Sequence, residues 1–73
     1  MKTKYKFVHF EKGAWGWILK NTKHGDILGR IFFYEKWNQY ILDANSNCAF
    51  SADCLTDIAH FLVQLNSSSK GQK

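Results

Sequence analysis

Cys48, Cys54 and His60 lie six residues apart, a spacing that invites a metal reading. Zinc takes about four converging ligands, and structural sites usually bring cysteines in pairs two to four residues apart. No such pair exists here, only His9 or His24 could complete a set, and on a helix a separation of six puts Cys54 and His60 on different sides. No metal is therefore expected. Cys54 in the first turn of a helix could form a thiolate nucleophile if a base such as His9 approached it. The competing reading is a small apolar residue packed beneath the helix start. Asp53 and Asp57, at i and i+4, superficially resemble an acid pair, but carboxylates suit the first turns of a helix on dipole grounds alone. Gly13 with Gly16, and Gly25 with Gly29, lack the strand-to-helix context of a phosphate cradle. The sequence thus predicts no catalytic residues, no cofactor and no small-molecule substrate: a protein that is not an enzyme.

The elements that position these residues follow from periodicity. "KYKFVHF", Lys4 to Phe10, alternates with Tyr5, Phe7 and His9 on one side, and predicts an edge strand guarded by lysines. "AWGWILK" predicts a second strand with Trp15, Trp17 and Leu19 on one face. The polar "NTKHGD" tolerates the left-handed backbone of hairpins, and "ILGRIFFY" is the most β-prone run. There Leu28, Arg30, Phe32 and Tyr34 alternate with Ile27, Gly29, Ile31 and Phe33. "EKWN" turns the chain into "QYIL". After "DANSN", Ser51 stands where an N-cap belongs, and Leu55, Ile58, Ala59, Leu62 and Leu65 recur at helical spacing over about 14 residues. Loops this short permit hairpins but not parallel crossovers. The predicted architecture is α+β: a four-stranded antiparallel β-meander with one C-terminal α-helix packed on one face. Residues 1–66 form a single domain and 67–73 a flexible tail.

Composition narrows the function. Ten Lys or Arg against six Asp or Glu give a net charge of +4, which permits nucleic acid or an acidic partner, although Lys70 and Lys73 fall in the tail. Two cysteines are too few for a secreted disulfide scaffold of this size. The start lacks the apolar stretch of a signal peptide, and no run approaches the ~20 residues of a membrane span. A cytoplasmic protein with no membrane partner is expected.

Aromatic residues make up 16% of the chain, more than one buried sheet face needs. One helix with one apolar stripe covers one face of a sheet. Period-2 alternation divides the rings between both faces, and the consecutive Phe32 and Phe33 cannot point the same way. The second face must meet water, another chain or a ligand. Trp15, Trp17, Tyr34, Trp37 and Tyr40 are the expected contact surface, because Trp and Tyr dominate interface energetics. It would serve a homodimer, which also relieves the small core, or another protein partner. The alternative is a nucleic-acid-binding module in which Lys4, Lys6, Lys20, Arg30 and Lys36 meet phosphates while exposed rings stack on bases.

Over residues 28–66, "LGRIFFYEKWNQYIL" and "FSADCLTDIAHFLVQLN" carry a pattern made of Leu28, Gly29, Tyr34, Trp37, Gln39, Tyr40, Cys54, Leu55, Asp57, Ile58 and Phe61. This pattern resembles a group of short, uncharacterised proteins encoded by bacteriophages and prophages. Asn38 stands where that pattern has a basic residue, which weakens a phosphate contact at the turn. The resemblance implies a phage or mobile-element accessory protein acting inside the bacterial host cell, where such proteins work by occupying the surface of a host macromolecule.

Overall fold

The computed structural model describes residues 1–70. Four strands, β1 (Val8–Lys12), β2 (Trp17–Asn21), β3 (Ile27–Tyr34) and β4 (Gln39–Ala44), form one antiparallel sheet in sequence order, and helix α1 (Ala52–Lys70) follows. The expected β-β-β-β-α arrangement is borne out.

Each reversal has a local cause. Between β2 and β3, Asn21 Oδ1 accepts hydrogen bonds from the backbone N–H groups of Lys23 and His24, and Gly25 takes a φ of 76°. Between β3 and β4, the Trp37 N–H donates to the Tyr34 carbonyl and Asn38 sits at φ 53°, a left-handed conformation that asparagine tolerates. Before β2, Gly13 N–H donates to the Gly16 carbonyl at 2.7 Å. Gly16 then runs so close to β3 that a Cβ there would collide with the Ile31 carbonyl oxygen. Opposite β2, Gly29 pairs with Leu19 and Ile27 with Lys20, so Leu28 forms a bulge. Asn45 completes it: its side-chain amide donates to the Ile27 carbonyl and its backbone N–H to that of Leu28.

The first strand differs from expectation. It begins at Val8, not Lys4, because the Tyr5 N–H donates to the Val8 carbonyl and turns the chain. Residues 3 and 4 fold back beside β1, with the Phe10 N–H donating to Thr3 and Lys4 bridging His9. The turn breaks the alternation, so Tyr5, Val8 and Phe10 are buried while Phe7 is exposed.

Helix α1 starts as expected, with the Cys54 N–H donating to Ser51 Oγ at 3.2 Å. It runs to Lys70, into the segment predicted as a tail, since extending a formed helix adds a hydrogen bond for each residue fixed. Residues 71–73 of that expected tail lie outside the described residues. The apolar stripe is also rotated from the predicted one. Ile58, Phe61 and Leu65 are buried, whereas Leu55 and Ala59 are exposed. Phe61, fully buried, decides the rotation by stacking on Phe10 at 3.9 Å between ring centroids and meeting Trp17 edge-on at 5.1 Å. Val8, Phe10, Leu19 and Ile31 complete the core on the inner sheet face.

Candidate interaction surface

Side chains on the outer face, away from α1, fall into cross-strand rows fixed by the pairing register. Lys4, His9, Lys20 and Ile27 form one row and Glu11, Ile18, Arg30 and Asp43 the next. Phe32 with Ile41, then Tyr34 with Gln39, complete the face. Gly16 lies against the Phe32 backbone and leaves the Phe32 row without a side chain in β2. That gap opens a cleft of about 280 Å³ lined by Trp15, Ile18, Arg30, Phe32 and Asp43 among others.

The five residues expected to form one aromatic surface are divided. Trp15 is 93% exposed at the cleft. Tyr34 is half-buried on the outer face and meets Trp37, 64% exposed in the turn, edge-on at 5.1 Å. Trp17 and Tyr40 instead belong to the inner face and pack against the core. Trp17 reverses relative to the expected outer surface because its register partner is the buried Ile31, and Lys12 Nζ lies 5.1 Å from its ring centroid. Tyr40 pairs with Phe33, another inner-face residue, and meets its ring at 5.4 Å.

The basic candidates are also spread out. Lys4, Lys20 and Arg30 share the outer face, Lys6 Nζ sits 5.3 Å from the Phe7 ring centroid, and Lys36 occupies the β3–β4 turn at the other end of the sheet. Acidic side chains interrupt this field. Glu11 lies between Lys20 and His9, with a carboxylate oxygen 3.0 Å from each. Those hydrogen bonds, from Lys20 first and His9 second, hold its carboxyl below the ordinary range. Asp43 stands beside Arg30 across the β3–β4 pair.

His9 is thereby fixed on the outer face, whereas Cys54 packs against the core beneath the helix, so the structure does not bring that thiol and base together. Both cysteines are half-buried and free. Among the described residues, no group of three or more His, Cys, Asp or Glu is arranged to hold a metal.

Two helix side chains that periodicity did not single out, Gln64 and Asn66, organise the other face together with Tyr5. Gln64 bonds both backbone groups of Lys2, accepting from its N–H at 2.9 Å and donating to its carbonyl at 2.9 Å. Asn66 does the same for Tyr40, at 2.7 and 3.4 Å. Tyr5 Oη shares a 2.7 Å hydrogen bond with His60 Nδ1 and accepts one from Gln64. Burial, and secondarily the charge of Asp57, push the Tyr5 phenol above its ordinary pKa. Polar residues on a predicted helix are the only sequence signal for these clamps.

Comparison with protein-family models, curated proteins and solved structures found no match to this chain. Among the described residues, no helix is long and apolar enough to cross a membrane.

Proposed function

We propose that this chain is a non-enzymatic interaction module whose outer sheet face docks against protein, in the first instance a second copy of itself. The observation that carries the reading is an uncovered face with an apolar centre of Ile18, Phe32 and Ile41, flanked by the exposed Trp15 and by the Tyr34–Trp37 pair. Apolar surface of this kind, rimmed by charged residues, marks association sites. The resemblance of residues 28–66 to small phage and prophage proteins is the ground for proposing an accessory role in a bacterial host cell, with a host protein as the other candidate partner. Trp15, Tyr34 and Trp37 are the contact residues of this proposal.

The charge on the face supports protein over nucleic acid, since Glu11 and Asp43 are interleaved with Lys4, Lys20 and Arg30. A salt titration separates the readings. Phosphate contacts lose affinity steeply as ionic strength rises, whereas an aromatic interface is nearly indifferent to it. Light scattering at low and high salt, with Trp15→Ala/Trp37→Ala as control, makes the test. Association that persists at high salt and is lost in the variant supports the proposal, and a single-chain mass for the wild type throughout overturns its self-association arm.

A further inference from the structure

The two edges of the sheet are finished differently. Beside β1, the returning residues 3 and 4 occupy the open hydrogen-bonding side. Among the described residues no strand lies beside β4, and the residues that point their backbone groups outward can be identified. Tyr40 faces out, because Asn66 bonds its N–H and carbonyl, and Asn45 faces in, because its N–H reaches the Leu28 carbonyl. Antiparallel alternation therefore turns Leu42 and Ala44 outward as well. Among the described residues neither has a partner for its outward groups, and β4 contains no lysine or proline to discourage pairing.

We infer that the Leu42–Ala44 edge accepts an extended segment of a partner protein carrying a basic residue opposite Asp43. The main-chain groups of this edge border the outer face proposed above, and Asp43, which lines that face's cleft beside Trp15, is common to both. Charge selects the occupant. Self-pairing of β4 in which both open residues find partners within the strand has two outcomes. Some registers must displace Asn66 from Tyr40, and the register pairing Leu42 with Ala44 of a second copy sets Asp43 against its own counterpart. Like charges directly opposite are destabilising. Asp43 is exposed and, among the described residues, has no cation within ion-pair distance, Arg30 included. A lysine or arginine on an added strand meets that carboxylate where a second copy would repel it, and the backbone groups of Leu42 and Ala44 supply the main-chain bonds of strand addition.

The test uses two capped pentapeptides of β-branched residues, one with lysine and one with glutamate at the centre, titrated into the isotopically labelled full chain. The expected result is that the lysine peptide shifts the Leu42 and Ala44 amide resonances and slows their exchange, binding at least tenfold more tightly than the glutamate peptide. Asp43→Asn removes that preference. Ala44→Pro deletes an outward donor without touching the β3–β4 bonds, so it loses binding while retaining the wild-type melting temperature. Unchanged Leu42 and Ala44 amides, or equal binding of the two peptides, overturns the inference. Trp37→Ala, in the β3–β4 turn and outside the cleft that Asp43 shares with Trp15, binds the lysine peptide normally, which distinguishes failure at this edge from failure of the aromatic contacts on the outer face.

Discussion

Gln64 and Asn66 each use one amide to imitate a neighbouring strand, at Lys2 and at Tyr40 respectively. Removing either leaves two backbone groups without their partner, and a lost hydrogen bond is worth about 1 kcal/mol. Asn66→Ala, which removes two such bonds, is predicted to lower the melting temperature by roughly 8–16 °C in a domain of this size, as read by thermal unfolding. Two ionisable residues give opposite pH signatures. The Glu11 pKa is depressed in the folded state, so its contribution is present above the unfolded carboxyl value and is lost as pH falls through the folded one. Glu11→Gln should therefore melt below wild type at neutral pH, and the gap should close in acid. The Tyr5 pKa is raised above 10.0, so its contribution is intact below that value and is lost as pH rises through the folded pKa. Tyr5→Phe should flatten the alkaline fall of a melting-temperature profile, and an unchanged slope above pH 10.0 would contradict this assignment.

At the scale of elements, the meander was legible because Asn21, Gly25 and Asn38 mark reversals between β-prone runs, and the helix start because Ser51 precedes acidic and apolar residues at the right spacing. The inward rotation of the helix was not. Two apolar stripes overlap on it, one through Cys54, Ile58, Phe61 and Leu65 and one through Leu55, Ala59 and Val63, and periodicity alone weighs them equally. Phe10 and Trp17, distant in sequence, choose the first by enclosing the Phe61 ring. Phe61→Ala should accordingly destabilise by about 3–5 kcal/mol, comparable with the whole net stability of so small a core, and unfold the chain at room temperature. Leu55→Ala, on the stripe that remains exposed, should stay within about 0.5 kcal/mol of wild type in a urea titration. The division of the tryptophans was hidden for a related reason. Trp15 and Trp17 share a parity, but Gly13 to Gly16 turn the chain before β2 begins, so only Trp17 inherits the inward face of Leu19. Gly16→Ala is predicted to disrupt that turn through its collision with β3, whereas Gly25→Ala meets no neighbour and costs only the left-handed backbone strain, about 1–2 kcal/mol.

For the molecule as a whole, a single helix on a four-stranded sheet leaves one face and one edge without an intramolecular partner among the described residues, and the chain treats them differently. The edge is polar backbone framed by Asp43, suited to a basic extended segment. The face is an apolar strip between Trp15 and the Tyr34–Trp37 pair, which we propose serves protein association expected to be indifferent to salt. The surplus of aromatic residues announced that some ring surface would stay outside the core, but which rings it would be depended on register, which sequence alone does not fix. The measurement that bears most directly on the account is light scattering of the purified chain over a dilution series at low and high salt, beside Trp15→Ala/Trp37→Ala. Twice the 8.5 kDa chain mass is expected at high concentration under both salt conditions, and a single-chain mass for the variant with an unchanged melting temperature. A wild-type chain that stays at 8.5 kDa throughout, or an association that salt abolishes and the variant retains, would contradict it.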